Sequence, residues 1–218
     1  WYWLMFVRKK GNGEWKQVLK PWRILGIIGC GLALQLGLSM ALTVLLPLFP
    51  KVQESYSTVM NALSSESALM IVCVCILAPI GEELVFRGLS LRILKKAFPW
   101  WFAVALQAVL FGVYHLNPVQ GIYATLLGLL LGYTAHRYGS VVPGILLHMA
   151  VNSSSYLITY LLPASLEENI TAQIILMVIG FAAVAGLAII YLKGVTTPDP
   201  TGTAAEATAV PVQNTESN

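Results

Sequence analysis

Residues 67–96 read SALMIVCVCILAPIGEELVFRGLSLRILKK. Ala68 to Ile80 is an unbroken apolar run. Glu82, Glu83 and Arg87 then appear among Leu84, Val85 and Phe86, and the stretch closes on Arg92, Lys95 and Lys96. At about 1.5 Å of rise per residue, a helix of this length crosses a hydrocarbon core of about 30 Å. Pro79 in its interior is expected to kink it. An ionisable residue inside such a helix costs at least about 2.5–3.5 kcal/mol on insertion scales, so its presence calls for a function. This one stretch sets both the fold class, a membrane helix, and the place to look for chemistry.

The rest of the chain repeats the apolar pattern. Of 218 residues, 57% are hydrophobic and 11% charged, and the mean hydropathy is +0.73. Soluble domains carry about 25% charged residues, so lipid is the expected solvent for much of this surface. Apolar segments at 24–49, 99–115, 119–136, 142–162 and 172–192 predict further spans. Trp1–Val7 is apolar and stops at Arg8-Lys9-Lys10, as the end of a span would, and it lacks the basic leader and cleavage site of a signal peptide. The expectation is an all-α, polytopic transmembrane helical bundle with about six complete spans plus a partial N-terminal one. It would occupy residues 1–194, with its core motifs in 67–160. Residues 50–66 are polar and connect two spans, with Ser64 to Ser67 offering N-cap chemistry. Residues 195–218, rich in Thr, Pro, Ala and Glu without apolar periodicity, are expected to form a disordered tail.

Orientation follows from lysine and arginine. Placing 8–23 inside puts Arg8, Lys9, Lys10, Lys16, Lys20, Arg23, Arg92, Lys95, Lys96, Arg137 and Lys193 on the inner side, and only Lys51 outside. Trp22, Trp100 and Trp101 then fall at the inner boundary as interfacial anchors. The predicted location is the cell membrane, multi-pass, with the C-terminal tail cytoplasmic. Gly128 and Gly132 form G-x-x-x-G, read as close helix packing. Cys30, Cys73 and Cys75 all lie in apolar runs; the C-x-C spacing is not that of redox or zinc sites, so they read as small hydrophobes.

The intramembrane polar residues form a small set. Glu83 and Arg87 are four apart and can pair along one helix face. Glu82 points about 100° away, without that partner. In low dielectric the two carboxylates do not behave alike: the one beside Arg87 is held as an anion, leaving the other to exchange a proton as a general base does. The alternative is a solvated cluster beside Arg92 and Lys95. His115 ends a run before Asn117-Pro118 and by itself would read equally well as a loop histidine. His148 is surrounded by Leu146, Leu147, Met149 and Ala150, with Asn152 one turn on; interhelical hydrogen bonding is its alternative role. His136, beside Arg137, reads as interfacial. Ser153 to Ser155 lack a G-x-S-x-G elbow and an intramembrane Asp. No H-E-x-x-H, P-loop or dinucleotide fingerprint occurs. No basic stripe with interleaved aromatics points to nucleic acid.

Taken in order, Glu82-Glu83-x-x-x-Arg87, Phe111-x-x-x-His115 and His148-x-x-x-Asn152 resemble the three motifs of the CAAX prenyl protease and bacteriocin-processing (CPBP, or Abi) family. That family is related to the Ras-converting type of CAAX endopeptidase. The resemblance covers roughly residues 67–160. It implies a helical bundle with a peptide-hydrolysing site inside the membrane, open toward the cytoplasmic side. It also implies roles: Glu82 as general base for water, assisted by His115; Glu83 and Arg87 as its support; His148 and Asn152 as donors to the oxyanion. No cofactor is expected, although Glu82, His115 and His148 would make a plausible zinc set. The expected partners are a peptide or membrane-protein substrate and the lipid bilayer, with no nucleic acid.

Depth is the point of tension. By residue count Glu82 and His148 lie roughly 10–15 Å from their basic flanks, but His115 lies about 22 Å from Trp100. A strong tilt or a short broken helix is needed to bring them together. Two other functions compete: a non-catalytic membrane protein that binds peptides, such as an immunity factor, and a proton or ion carrier. A carrier should show ionisable groups at several depths along a route; here they cluster on three helices, and 172–192 has none.

Overall fold

The computed structural model describes residues 20–63, 67–166 and 168–195. The apolar Trp1–Val7 segment, the basic run over 8–19, Ser64–Glu66 and the 196–218 tail lie outside the described residues. Among the described residues seven helices form the bundle: α1 (Pro21–Leu45, continued by a 3-10 turn, Leu46–Leu48), α2 (Pro50–Leu63), α3 (Ala68–Ala97), α4 (Trp100–Tyr114), α5 (Pro118–Tyr138), α6 (Val142–Leu161) and α7 (Ile170–Leu192). There is no strand among the described residues.

Local chemistry sets the helix ends. The Ser67 hydroxyl accepts from the Met70 amide at 3.2 Å, Asn117 from Gln120 at 3.0 Å and Asn169 from Ala172 at 3.0 Å. Each satisfies one of the amides that a helix start leaves without an internal partner. Gly139 ends α5 in the left-handed region, at φ 63°, where a side chain would be strained.

α2 departs from the sequence expectation, which treated 50–66 as a polar connection. Val52, Tyr56 and Met60 recur at helical spacing and give α2 one apolar stripe on an otherwise polar helix. A criterion tuned to spanning length passes over so short a stripe. The span count is also differently distributed. Three helices, Pro21–Leu48, Ala68–Ala97 and Ile170–Leu192, are long and apolar enough to cross a membrane. With 15 residues, α4 reaches only about 22 Å, short of a hydrocarbon core of about 30 Å.

Small residues let the backbones close up. A Cβ on Gly180 of α7 would come within 2.7 Å of the Gly37 nitrogen of α1, and one on Gly26 within 3.1 Å of the Tyr191 Cβ. On its other side α1 meets α6 through Gly31 and Ala150. Gly128 and Gly132 of α5 lie against Ala108 and Gln107 of α4. The G-x-x-x-G pair therefore serves packing within the chain, where close approach replaces the missing hydrophobic drive between helices in lipid. The main core runs from Ile27, Cys30 and Leu34 of α1 through Leu127 and Leu131 of α5 to Leu147 and Val151 of α6 and Tyr191 of α7.

Basic and aromatic residues gather at one end of the bundle. Arg23 donates to the Lys193 carbonyl at 3.0 Å and Arg137 to the Val195 carbonyl at 2.6 Å. Lys95 lies 3.1 Å from His136 Nδ1, and Trp100 stacks on the His136 ring with centroids 4.7 Å apart. The N-termini of α1 and α4 and the C-termini of α3, α5 and α7 thus share one end. His136 sits at that end, between Lys95 and Trp100.

Candidate active site

α3 carries the acidic pair on a helix that is not uniformly α. It widens into π turns at Cys73–Leu77 and Leu84–Ser90, on either side of the α segment Ala78–Glu83. π turns inside α-helices occur often at functional sites. The expected kink at Pro79 thus takes the form of a widening: a proline ring collides with the carbonyl four residues back, and the wider turn relieves that contact.

Glu83 is fully buried, and its Oε1 takes two donors. Arg87 Nη1 donates to it at 2.7 Å, and His148 Nδ1 at 3.0 Å. The predicted Glu83–Arg87 pair is present, wholly out of solvent. Two buried charges persist in such a place only when paired and hydrogen-bonded. Arg87 is anchored further: Nη2 donates to the Gly128 carbonyl of α5 at 3.4 Å, and its guanidinium lies 4.3 Å over the Phe111 ring of α4. That cation–π contact is worth most where water is excluded.

His148 links the two glutamates. Because Nδ1 faces an acceptor-only carboxylate, it carries the proton, and Nε2 is left toward Glu82. The Glu82 Oε2 to His148 Nε2 distance is 3.7 Å. The sequence left Glu82 without the Arg87 partner; the structure gives it His148. Glu82 is partly exposed where Glu83 is not, so it is the carboxylate that a water or substrate can reach.

His115 follows α4 as its C-cap. Leu116, at φ 56°, turns the chain sharply into α5. The His115 ring folds back: Nδ1 lies 2.8 Å from the Phe111 carbonyl, and the ring meets Phe111 edge-on with centroids 4.8 Å apart. Phe111 also meets the His148 ring edge-on at 5.7 Å. One aromatic ring thus separates and orients both histidines. This fold-back and the short α4 ease the depth mismatch, since helical side chains lean toward the N-terminus. A carbonyl only accepts, so His115 Nδ1 bears the proton and Nε2 is its free position. Asn152 is half-buried, and its Nδ2 donates to the Val74 carbonyl at 2.9 Å.

Three residues outside the predicted set shape the site. Gln107 is fully buried and donates to the Val104 and Gly128 carbonyls, both at 2.9 Å. It shares the Gly128 carbonyl with Arg87. As a lone polar side chain between Trp101 and Phe111 it was visible in the sequence, but attention to ionisable groups bypassed it. Phe111 gave no signal beyond its motif. Gly144 of α6 faces Glu83: a Cβ there would stand 2.8 Å from Oε2. Only the fold reveals that approach.

A zinc ion would need three or more donors converging on one point. No group of three His, Cys, Asp or Glu side chains converges on one point among the described residues, although the Nδ1 bonds of His148 and His115 leave both Nε2 atoms open, as in metal-binding histidines. As they stand, Glu82, His115 and His148 do not fit a tetrahedral zinc set, and no step below is routed through a metal.

No curated protein and no solved structure matches the chain. Residues 64–154 match the family model described as type II CAAX prenyl endopeptidase Rce1-like. The match includes every residue of the cluster, from Glu82 to Asn152, and it supports a membrane endopeptidase in general terms. Over residues 64–154, with the acidic pair and two histidines, the chain is thus similar to the CAAX-protease family.

Proposed function

We propose that this chain hydrolyses a peptide bond within or at the membrane, with Glu82 as the general base. The contact that carries this reading is His148 held between two carboxylates, one buried and arginine-bound, one partly exposed. Glu83 and Arg87 fix the ring and its tautomer. Glu82 takes a proton from water as the water oxygen attacks the scissile carbonyl, His115 assists through Nε2, and Glu82 returns that proton to the leaving nitrogen as the C–N bond breaks. The neutral ring carries its proton on Nδ1, committed to Glu83, so His148 takes a second proton on Nε2 and as that imidazolium donates a hydrogen bond to the developing oxyanion. Asn152 uses one N–H on Val74 and offers the second. Fixed donors in a water-poor site stabilise that charge more than mobile water does. The substrate is a peptide or membrane-associated protein, and the basic end of the bundle faces the cytoplasm.

Purified protein in detergent should cleave members of a panel of quenched fluorescent peptides, half of them prenylated at a C-terminal CAAX cysteine. A strong chelator should leave the rate unchanged. Loss of cleavage on chelation with recovery on adding zinc would reinstate the Glu82–His115–His148 metal reading. Binding of peptides without any cleavage would favour the peptide-binding alternative.

A further inference from the structure

The Asn152 contact has an unusual cause, and it lies in Pro79. Within the π turn the Ala78 amide donates to the Cys73 carbonyl, five residues back. The next amide in that register would serve the Val74 carbonyl. It belongs to Pro79, which has no N–H. In α register the Val74 carbonyl would take the Ala78 amide, which is already committed. Val74 is therefore left with a carbonyl that the helix cannot satisfy, on a helix with the composition to span a membrane. An unpaired carbonyl in that setting is costly. Asn152, from α6, fills it at 2.9 Å. In the second π turn the Ser90 hydroxyl donates to the Val85 carbonyl at 3.0 Å.

This bond also settles the orientation of the Asn152 amide. A carbonyl accepts only, so Nδ2 must face Val74, and the other N–H points along a fixed direction. We infer that Pro79 is a positioning residue: by depriving the Val74 carbonyl of its helical donor, it holds Asn152 in the orientation that the reaction uses. The inference rests on the proposed role of Asn152 as an oxyanion donor, but the bond itself can be tested without turnover.

Pro79→Ala restores the missing amide, lets the turn close in α register and gives Val74 a backbone donor. Two double-mutant cycles with Asn152→Ala decide the matter, because coupling appears only between residues that act through each other. In the first, read by Tm in detergent, Asn152→Ala should lower Tm by about 2–8 °C when Pro79 is present, since Val74 loses its partner. It should do so scarcely at all in the Pro79→Ala background. In the second, Pro79→Ala alone should lower kcat about 10- to 100-fold with KM little changed, and should have no further effect once Asn152 is Ala. Effects that simply multiply would show Pro79 acting only on the fold, and would overturn the inference. If Pro79→Ala does not fold, Pro79→Ser supplies the same amide. If neither folds, Asn152→Ala alone still decides: an unchanged Tm means that the Val74 bond carries nothing. A wild-type protein that never cleaves would refute the proposed function and leave the thermal cycle standing as the test of the Pro79 linkage.

Discussion

In the proposed reaction Arg87 supports the site and takes no part in its chemistry. Its guanidinium is buried, bonded to Glu83 and to the Gly128 carbonyl, and lies over Phe111. Arg87→Ala leaves the Glu83 anion without a cation, in a place where breaking a buried pair costs about 3–5 kcal/mol. The expected outcome is a lower yield and a clearly lower Tm in detergent, with loss of activity following from loss of fold. A variant of wild-type stability that had lost only turnover would make Arg87 a participant in the reaction. The identity of this pair was legible in the sequence, because four-residue spacing on a helix implies it. The attachment of His148 to both glutamates was not, since contacts between distant helices have no local signature. The tautomers of the two histidines likewise depend on a glutamate from α3 and on the geometry of a helix end.

At the level of elements, the site depends on how closely α6 can approach α3. Gly144 permits that approach, and Glu83 cannot swing away because Arg87 and His148 both hold it. Gly144→Ala should push α6 outward or break the His148–Glu83 bond, with a loss of turnover of about 100-fold for a displacement near 1 Å. Gly186→Ala is the control, since a Cβ there meets nothing within 4 Å; it should be neutral. Equal activity of the two variants would show that the α3–α6 spacing is unimportant. The π turns of α3 were illegible in advance. Pro79 announced a disturbance, but a kink and a widened turn look the same in sequence, and the choice rests on which neighbouring side chain can take the freed carbonyl. α2 escaped notice for a different reason: its apolar stripe is too short to stand out against the long runs beside it.

For the whole molecule, the end-to-end arrangement of charges supports one orientation. Arg23, Lys95, His136, Arg137 and Lys193 converge at one end through contacts between different helices, and inward bias of such residues orients membrane proteins. Single cysteines placed in a background lacking Cys30, Cys73 and Cys75 should be labelled from outside at 50–66 and 163–171, and only from inside at 92–99 and 136–141. Outside labelling of the 92–99 turn would contradict the topology. The fold class was readable from apolar run lengths alone. The count of complete crossings does not follow from run lengths: among the described residues three helices are long and apolar enough to cross a membrane, and α4 is shorter.

All three scales meet in Glu82, the partly exposed carboxylate beside His148. Gln at this position keeps the shape but cannot accept a proton from water, so Glu82→Gln separates the chemistry from the packing. The decisive measurement is the turnover of this variant against wild type on a peptide that wild type cleaves, with Tm and peptide affinity recorded alongside. Turnover should fall by about 10²–10⁴-fold, as loss of a general base does, while Tm and affinity stay near wild type. Turnover at the wild-type rate by a folded Glu82→Gln protein would contradict the account.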